Sequence, residues 1–255
     1  MRKILAATDA SRHGQHAVVV ARALAQRVHG EYACISVDRD SVPGAPPDPS
    51  AEPPERDGTC AVLHGLPGVE IVRYAETWNA DLVVMGRHKR TSERPCPVGS
   101  VSDAVIRRRI GPSLFVPPEV SAFQRGMIAL DGGPRGVAIL APAAAFLDLV
   151  GARASVLCVL PDPPPSVDDI TTWMDSRSEQ VRAQAARLHL QSGPCELQMR
   201  HGNPVAEIHQ ALVECGADLL VLGVRRGGLR GDMGTGYVGR ELLKTISCAV
   251  LTVPI

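Results

Sequence analysis

Short apolar runs alternate with longer amphipathic stretches along the whole chain. "KILAAT" at residues 3–8 has the length and composition of a strand, and Ala17, Val20, Ala21, Leu24 and Val28 after it recur at helical spacing. "YACISV" and "CAVLH" then read as strands, 67–78 as a helix, "DLVVMG" as a strand, 100–109 as a helix and "SLFVP" as a strand. Continuous apolar runs such as "DLVVMG" suit parallel strands covered on both faces. Strands separated by helices predict right-handed βαβ units and an open, mostly parallel sheet.

The pattern then repeats. "HGLPGVEIVRYAETWNADLVVMG" begins at His64 and "HGNPVAEIHQALVECGADLLVLG" at His201. His64, Gly65, Pro67, Glu70, Ile71, Ala80, Asp81, Leu82, Val84 and Gly86 recur 137 positions later without a gap. The same offset carries Gly99 to Gly236, Val101 to Val238, Leu114 to Leu251, Val116 to Val253 and Pro117 to Pro254. A period this long is no solenoid but a duplicated domain. We expect one domain over 1–120 and a second over 121–255.

Upstream the copies align on Asp9 and Asp131, an offset of 122, so the second copy is 15 residues longer between there and His64/His201. The extra length falls where Ile170, Met174, Val181, Ala185 and Leu188 follow a helical period. The first copy has "DRDSVPGAPPDPSAEPPERDG" instead, too rich in proline for a helix interior. The expectation is a first domain without that crossover helix and with a mobile, exposed loop at 38–58.

Composition narrows the function. Among 255 residues, 27 basic and 27 acidic side chains cancel, which argues against a surface devoted to nucleic acid or membrane. Aromatics make up 3%, too few for a base-stacking platform. No apolar run nears the ~20 residues of a membrane span, and the apolar run near the start is too short for a signal peptide. Seven cysteines, none spaced as C-x-x-C, predict reduced, buried thiols in a cytoplasmic protein.

Ligands of open parallel sheets bind beyond the carboxyl ends of the strands, where the strand order reverses. Those ends here are Thr8, Asp9 and Ser11, then Val37, then Met85 and Gly86. Gly99 and Ser100 open the next helix, and glycines with hydroxyls at a helix start suit an anionic phosphate. An ordinary strand–loop–helix connection with Ser100 as a cap satisfies the same spacing. Charge favours the phosphate: from Gly86 to Arg109 seven basic residues face two acids, +5, and from Gly223 to Lys244 the balance is +3. The stretch from Asp38 to Asp57 carries −4.

With these residues in view, the chain resembles a tandem universal stress protein over nearly its whole length. The resemblance implies two Rossmann-like domains of the adenine nucleotide α-hydrolase type, packed as a pseudo-dimer through the strands that end each copy. That family's phosphate and ribose loop reads G-2x-G-9x-G-[S/T] after an aspartate closing the first strand. Gly86, Gly99 and Ser100 fall on its first, third and fourth positions, and Asp9 on the aspartate. The match implies Val37 against adenine, with Met85, Val101 and Ser102 lining ribose and phosphates. ATP or a related adenine nucleotide, with or without Mg²⁺, is the implied ligand of the first domain. Lys89 stands where the second glycine belongs. In the second copy Gly223 and Gly236 are in place, but Arg226 and Tyr237 replace the second glycine and the hydroxyl residue. We therefore expect no nucleotide there in the family's manner.

Other constellations carry less. His13 and His16 lie three apart near a helix start without a third metal ligand, so solvated side chains are expected. His64 and His201 each precede a Gly-x-Pro turn and suggest a structural role there. No G-x-S-x-G elbow, Walker loop, triad or carboxylate pair is present, so at most slow ATP hydrolysis is expected. Two rival readings stand beside a binding protein of stress response: a stress-related scaffold that binds other proteins without nucleotide, and an enzyme transferring adenylate or phosphate. The second would need a metal-holding carboxylate, for which only Asp9 is available.

Overall fold

The computed structural model describes residues 1–39, 60–87, 100–108, 111–133, 136–160, 170–187, 193, 195–224 and 236–255. The chain divides into two compact units, one built on Met1–Ser121, the other on Ala122–Arg225 and Tyr237–Ile255. The loop expected to be mobile at 38–58 lies outside the described residues from position 40 onward.

In the first unit β1 (Lys3–Thr8) leads to α1 (Arg12–Arg27) and β2 (Glu31–Asp38), then β3 (Ala61–His64), α2 (Pro67–Thr77), β4 (Leu82–Gly86), α3 (Ser100–Arg108) and β5 (Ser113–Val116). The strands lie in the order β3-β2-β1-β4-β5, each paired parallel with its neighbour. The second unit repeats this with β6 (Arg125–Leu130), α4 (Leu140–Val150), β7 (Arg153–Leu160), α5 (Ile170–Ala185), β8 (Glu196–His201), α6 (Pro204–Cys215), β9 (Leu219–Val224), α7 (Gly236–Thr245) and β10 (Ala249–Pro254). Its order is β8-β7-β6-β9-β10. The mixed α/β class with mostly parallel pairing is as the alternation predicts.

The apolar pattern accounts for the core. Ala17, Val20, Ala21 and Leu24 are buried on one face of α1, and residues 82–85 of β4 are buried without a break. Burying each Val or Leu contributes about 1.5–3 kcal/mol. In α5, Val181 and Ala185 form the buried face.

Several repeated residues turn out to hold turns. Asp81 Oδ2 accepts from the amides of Arg2 (2.5 Å) and Lys3 (2.9 Å), and Asp81 N–H donates to Lys3 O (2.8 Å), tying the start of β4 to that of β1. Asp218 does the same in the second unit, accepting from Gln124 N (2.8 Å) and Arg125 N (3.2 Å). Partial burial pushes the Asp81 carboxyl up, but the two amides and the positive charges of the N-terminus and Lys3 outweigh it and hold the pKa below the usual value. A lowered folded pKa stabilises above the unfolded value of about 3.9, and that stability is lost as pH falls through the folded value. Asp81→Ala should therefore cost about 1 kcal/mol at neutral pH. Urea denaturation should show that deficit closing below about pH 4.

The His-Gly-x-Pro turn is explained by its glycine and proline. Gly65 and Gly202 have φ of +131° and +121°, where a side chain is strained, and Pro67 and Pro204 begin α2 and α6. His64 and His201 are exposed. His16 departs from expectation: it is half-buried, and its Nε2–H donates to Val120 O at 2.6 Å.

The cysteines do not all remain thiols. Cys34 in β2 and Cys60, just before β3, form a disulfide. Separated by 26 positions, they give no sequence signal, but parallel register opposes Ile35 to Ala61. The preceding pair is thus brought together with Cα atoms 4.5 Å apart, within disulfide range. Cys158, Cys195, Cys215 and Cys248 take part in no disulfide, while Cys96 lies outside the described residues.

Candidate functional site

Strand order in the first unit reverses between β1 and β4: the chain runs outward from β1 to β2 and β3, then returns to place β4 on β1's other side. Ala7 is level with Met85, so Asp9, the residue after β1, and Gly86, the last of β4, lie at the same end of adjacent strands at the switch. Thr8 is level with Ser36, which puts Val37, half-buried, at the same end of β2. Met85 is buried at 6% exposure, its side chain in the core. Val101 and Ser102 lie half-buried in the first turn of α3, which Ser100 opens. Gly99 and Lys89 lie outside the described residues.

Asp9 organises the turn from β1 to α1. Its Oδ1 accepts from Ser11 N (3.1 Å) and Ser11 Oγ–H (2.5 Å), and Ser11 Oγ in turn accepts from Gly14 N (3.1 Å) as the α1 cap. Asp131 repeats the first bond with Gly133 N at 2.9 Å. The left-handed residue between them is Ala10 (φ 59°) in the first unit and Gly132 (φ 68°) in the second. A shared glycine follows five residues after each aspartate. A Cβ on Gly14 would lie 2.6 Å from Asp9 Oδ1, and one on Gly136 would also collide with Asp131 Oδ1. The residues after the two aspartates, "DASRHG" and "DGGPRG", otherwise differ. The common D-x4-G was the available signal, and it marks the carboxylate's close approach to the following helical turn.

Gly86 also has a structural reason to be glycine. A Cβ there would lie 2.5 Å from both His13 C and His13 O and 2.8 Å from Gly14 N. The first turn of α1 thus rests on the end of β4, main chain against main chain. At Gly223 the nearest atoms are side-chain carbons, Ile139 Cγ2 at 3.1 Å and Ile255 Cδ1 at 3.3 Å.

The positive segment is more offset than its sequence suggests. Arg87 is 6% exposed, with its N–H on Val116 O at 2.9 Å. Arg107 pairs with Asp103 on α3, and Lys244 with Glu241 on α7 at 2.6 Å. The charges of Arg90, Arg94, Arg109, Arg225, Arg226 and Arg230 fall outside the described residues. Among the described residues no group of three or more His, Cys, Asp or Glu side chains gathers to hold a metal. An ATP-bound Mg²⁺ needs only one or two protein carboxylates, since phosphates and water complete its shell.

The second unit differs at this place. Arg177 of α5 stands over the loop after β6, its Nη1 3.7 Å from where a Cβ on Gly133 would be. Gly236 and Tyr237 open α7. Buried Cys158, on the neighbouring strand, is pushed up to about 11 by burial and by the Asp131 charge, against the lowering effect of Arg177.

The model of the universal stress protein family matches residues 51–117 and again 122–254. The chain belongs to the universal stress protein family. A universal stress protein of Methanocaldococcus jannaschii is 36% identical over 55 residues, 22% of this chain and 34% of its own. The chain thus spans about a third of the length of that relative. A solved universal stress protein of Archaeoglobus fulgidus shares the fold along 99% of this chain and 98% of its own, at TM-score 0.69 and 18% identity. Another universal stress protein, solved in complex with cAMP, matches 52% of this chain and 98% of its own, at TM-score 0.40 and 19% identity. No helix among the described residues is long and apolar enough to cross a membrane.

Proposed function

We propose that the first unit of this universal stress protein binds ATP or a related adenine nucleotide at the carboxyl ends of β1, β2 and β4. The protein then acts in the cytoplasm through binding and conformation rather than turnover. The observation that carries this reading is the pairing of β1 with β4 at the reversal of strand order, with Asp9 following β1 and Gly86 ending β4. Val37 would meet adenine, and Gly99, Ser100, Val101 and Ser102 at the start of α3 would take the phosphates with main-chain amides and hydroxyls. In the second unit, Arg177 over the Asp131 loop and the Tyr237 substitution argue for no nucleotide in that manner.

Mass spectrometry of the denatured protein should reveal co-purified adenine nucleotide. Gly99→Val should weaken ATP binding in calorimetry by roughly tenfold or more, ~1.4 kcal/mol. Lys89→Gly reports whether that cation assists binding, which glycine would weaken, or obstructs it, which glycine would strengthen. A wild type without measurable affinity for ATP would sink the reading.

The second reading, a scaffold for other proteins without nucleotide, is favoured by one observation. Packing against α1 suffices to require glycine at position 86, with no ligand present. Absent affinity would select this reading. Turnover that disappears with Asp9→Asn would select a transferase or hydrolase instead.

A further inference from the structure

We propose that Cys34 and Cys60 form a reversible thiol–disulfide switch, set by small dithiols and disulfides in solution, that governs how firmly β3 is held beside β2. The bond joins a strand inside the sheet to the residue that leads into its edge strand. β3 has four residues and pairs with β2 from Ile35↔Ala61 to Asp38↔His64. Leu63 points into the core while Val62 is 58% exposed, so half of this short strand gains little from burial. The disulfide at Cys60, the residue leading into β3, adds a covalent tie to that pairing.

The two sulfurs are unequally reachable. Cys34 is 1% exposed, whereas Cys60 is half-buried at the strand's open end. A dithiol's thiolate attacks Cys60 Sγ, the protein S–S bond breaks, and Cys34 leaves as a thiolate that takes up a proton. The dithiol's second thiolate attacks its own sulfur in the mixed disulfide, and Cys60 leaves and is protonated. The protein gains two electrons and two protons, and the dithiol ends as a cyclic disulfide. Oxidation by a small disulfide runs the same steps in reverse.

The other described thiols offer weak competition. Cys158 and Cys248 are buried, and Cys195 is pushed up to about 11 by burial and by Glu196. In a reducing cytoplasm, persistent disulfides are rare and those that form are mostly transient or redox-sensing. Val37 pairs with Leu63, so the switch reaches a residue placed against adenine. That last consequence alone rests on the nucleotide reading.

The test equilibrates the full chain in a series of reduced and oxidised dithiothreitol ratios, then alkylates it for mass spectrometry. Hydrogen exchange over 61–64 is followed in the same samples. Cys34 and Cys60 should titrate together and reversibly, and β3 amides should exchange at least about tenfold faster once reduced. Cys60→Ala leaves the buried Cys34 in place and should match the reduced protein without reductant. Full alkylation before reduction, a bond that survives excess reduced dithiothreitol, or equal β3 exchange in both states would each overturn the proposal. Calorimetry with ATP forms a separate arm, in which affinity should differ between the two states. Absence of ATP binding in both would count against the nucleotide reading, leaving the titration and exchange results to decide the switch.

Discussion

Gly86→Ala should cost the first unit about 3 kcal/mol, while the matched change Gly223→Ala should cost about 1 kcal/mol or less. The two glycines occupy one position of the duplicated unit, so sequence alone predicts equal effects. The difference lies in what a methyl group would meet. At Gly86 it would press on the main chain of His13 and Gly14, in the capped first turn of α1. Relief there requires lifting the turn, which also disturbs the bonds from Ser11 to Asp9 and from Gly14 to Ser11. At Gly223 the neighbours are the ends of two isoleucines, which give by a few tenths of an ångström through small rotamer changes. Urea denaturation read by hydrogen exchange in each unit distinguishes the two. Equal losses would show that α1 does not rest on β4 in this way. Any effect of Gly86→Ala on nucleotide affinity is then to be judged against its folding cost, which makes Gly99→Val the cleaner probe of the ligand.

Reducing the Cys34–Cys60 disulfide should lower the stability of the first unit by about 3.5 kcal/mol, the chain-entropy value for a loop of this size. The separation of 26 residues makes the closed loop long enough for that restriction of the unfolded chain to matter. For a unit of about this length the melting temperature should fall by roughly 10 °C. Scanning calorimetry with and without reductant reads this directly, and Cys60→Ala should show the lower value in both conditions. An unchanged melting temperature would mean that the unfolded state, or relief of strain, cancels the gain. The second unit has no described disulfide, and its transition should not respond to reductant.

Much of this was legible in the chain. β1 runs over Lys3–Thr8 and β4 over Leu82–Gly86, where the apolar runs lie, and α1 buries Ala17, Val20, Ala21 and Leu24 as their spacing requires. Asp81 and Asp218 recur because each holds the start of one strand to the next. The site was legible only as types of residue at strand ends. Asp9 was marked, but its role in closing the turn to Ser11 and Gly14 was not, because that role depends on a helix folding back within bond distance. Arg87 read as one cation in a basic run, yet it is buried beside the sheet. The cysteines read as thiols, since 26 intervening residues conceal a pairing that strand register creates.

By itself, the sequence determined the duplication, the order and kind of the elements, and the faces they bury. The duplication follows from residues recurring at one offset, and the elements from short apolar runs and the 3.6-residue helical spacing, which are properties of a few neighbouring positions. Only the tertiary structure decided that Cys34 meets Cys60, that α1's main chain lies on Gly86, and that Arg177 stands over the second unit's loop. Those contacts join residues distant along the chain, and their distances are set by how the packed strands and helices register against one another.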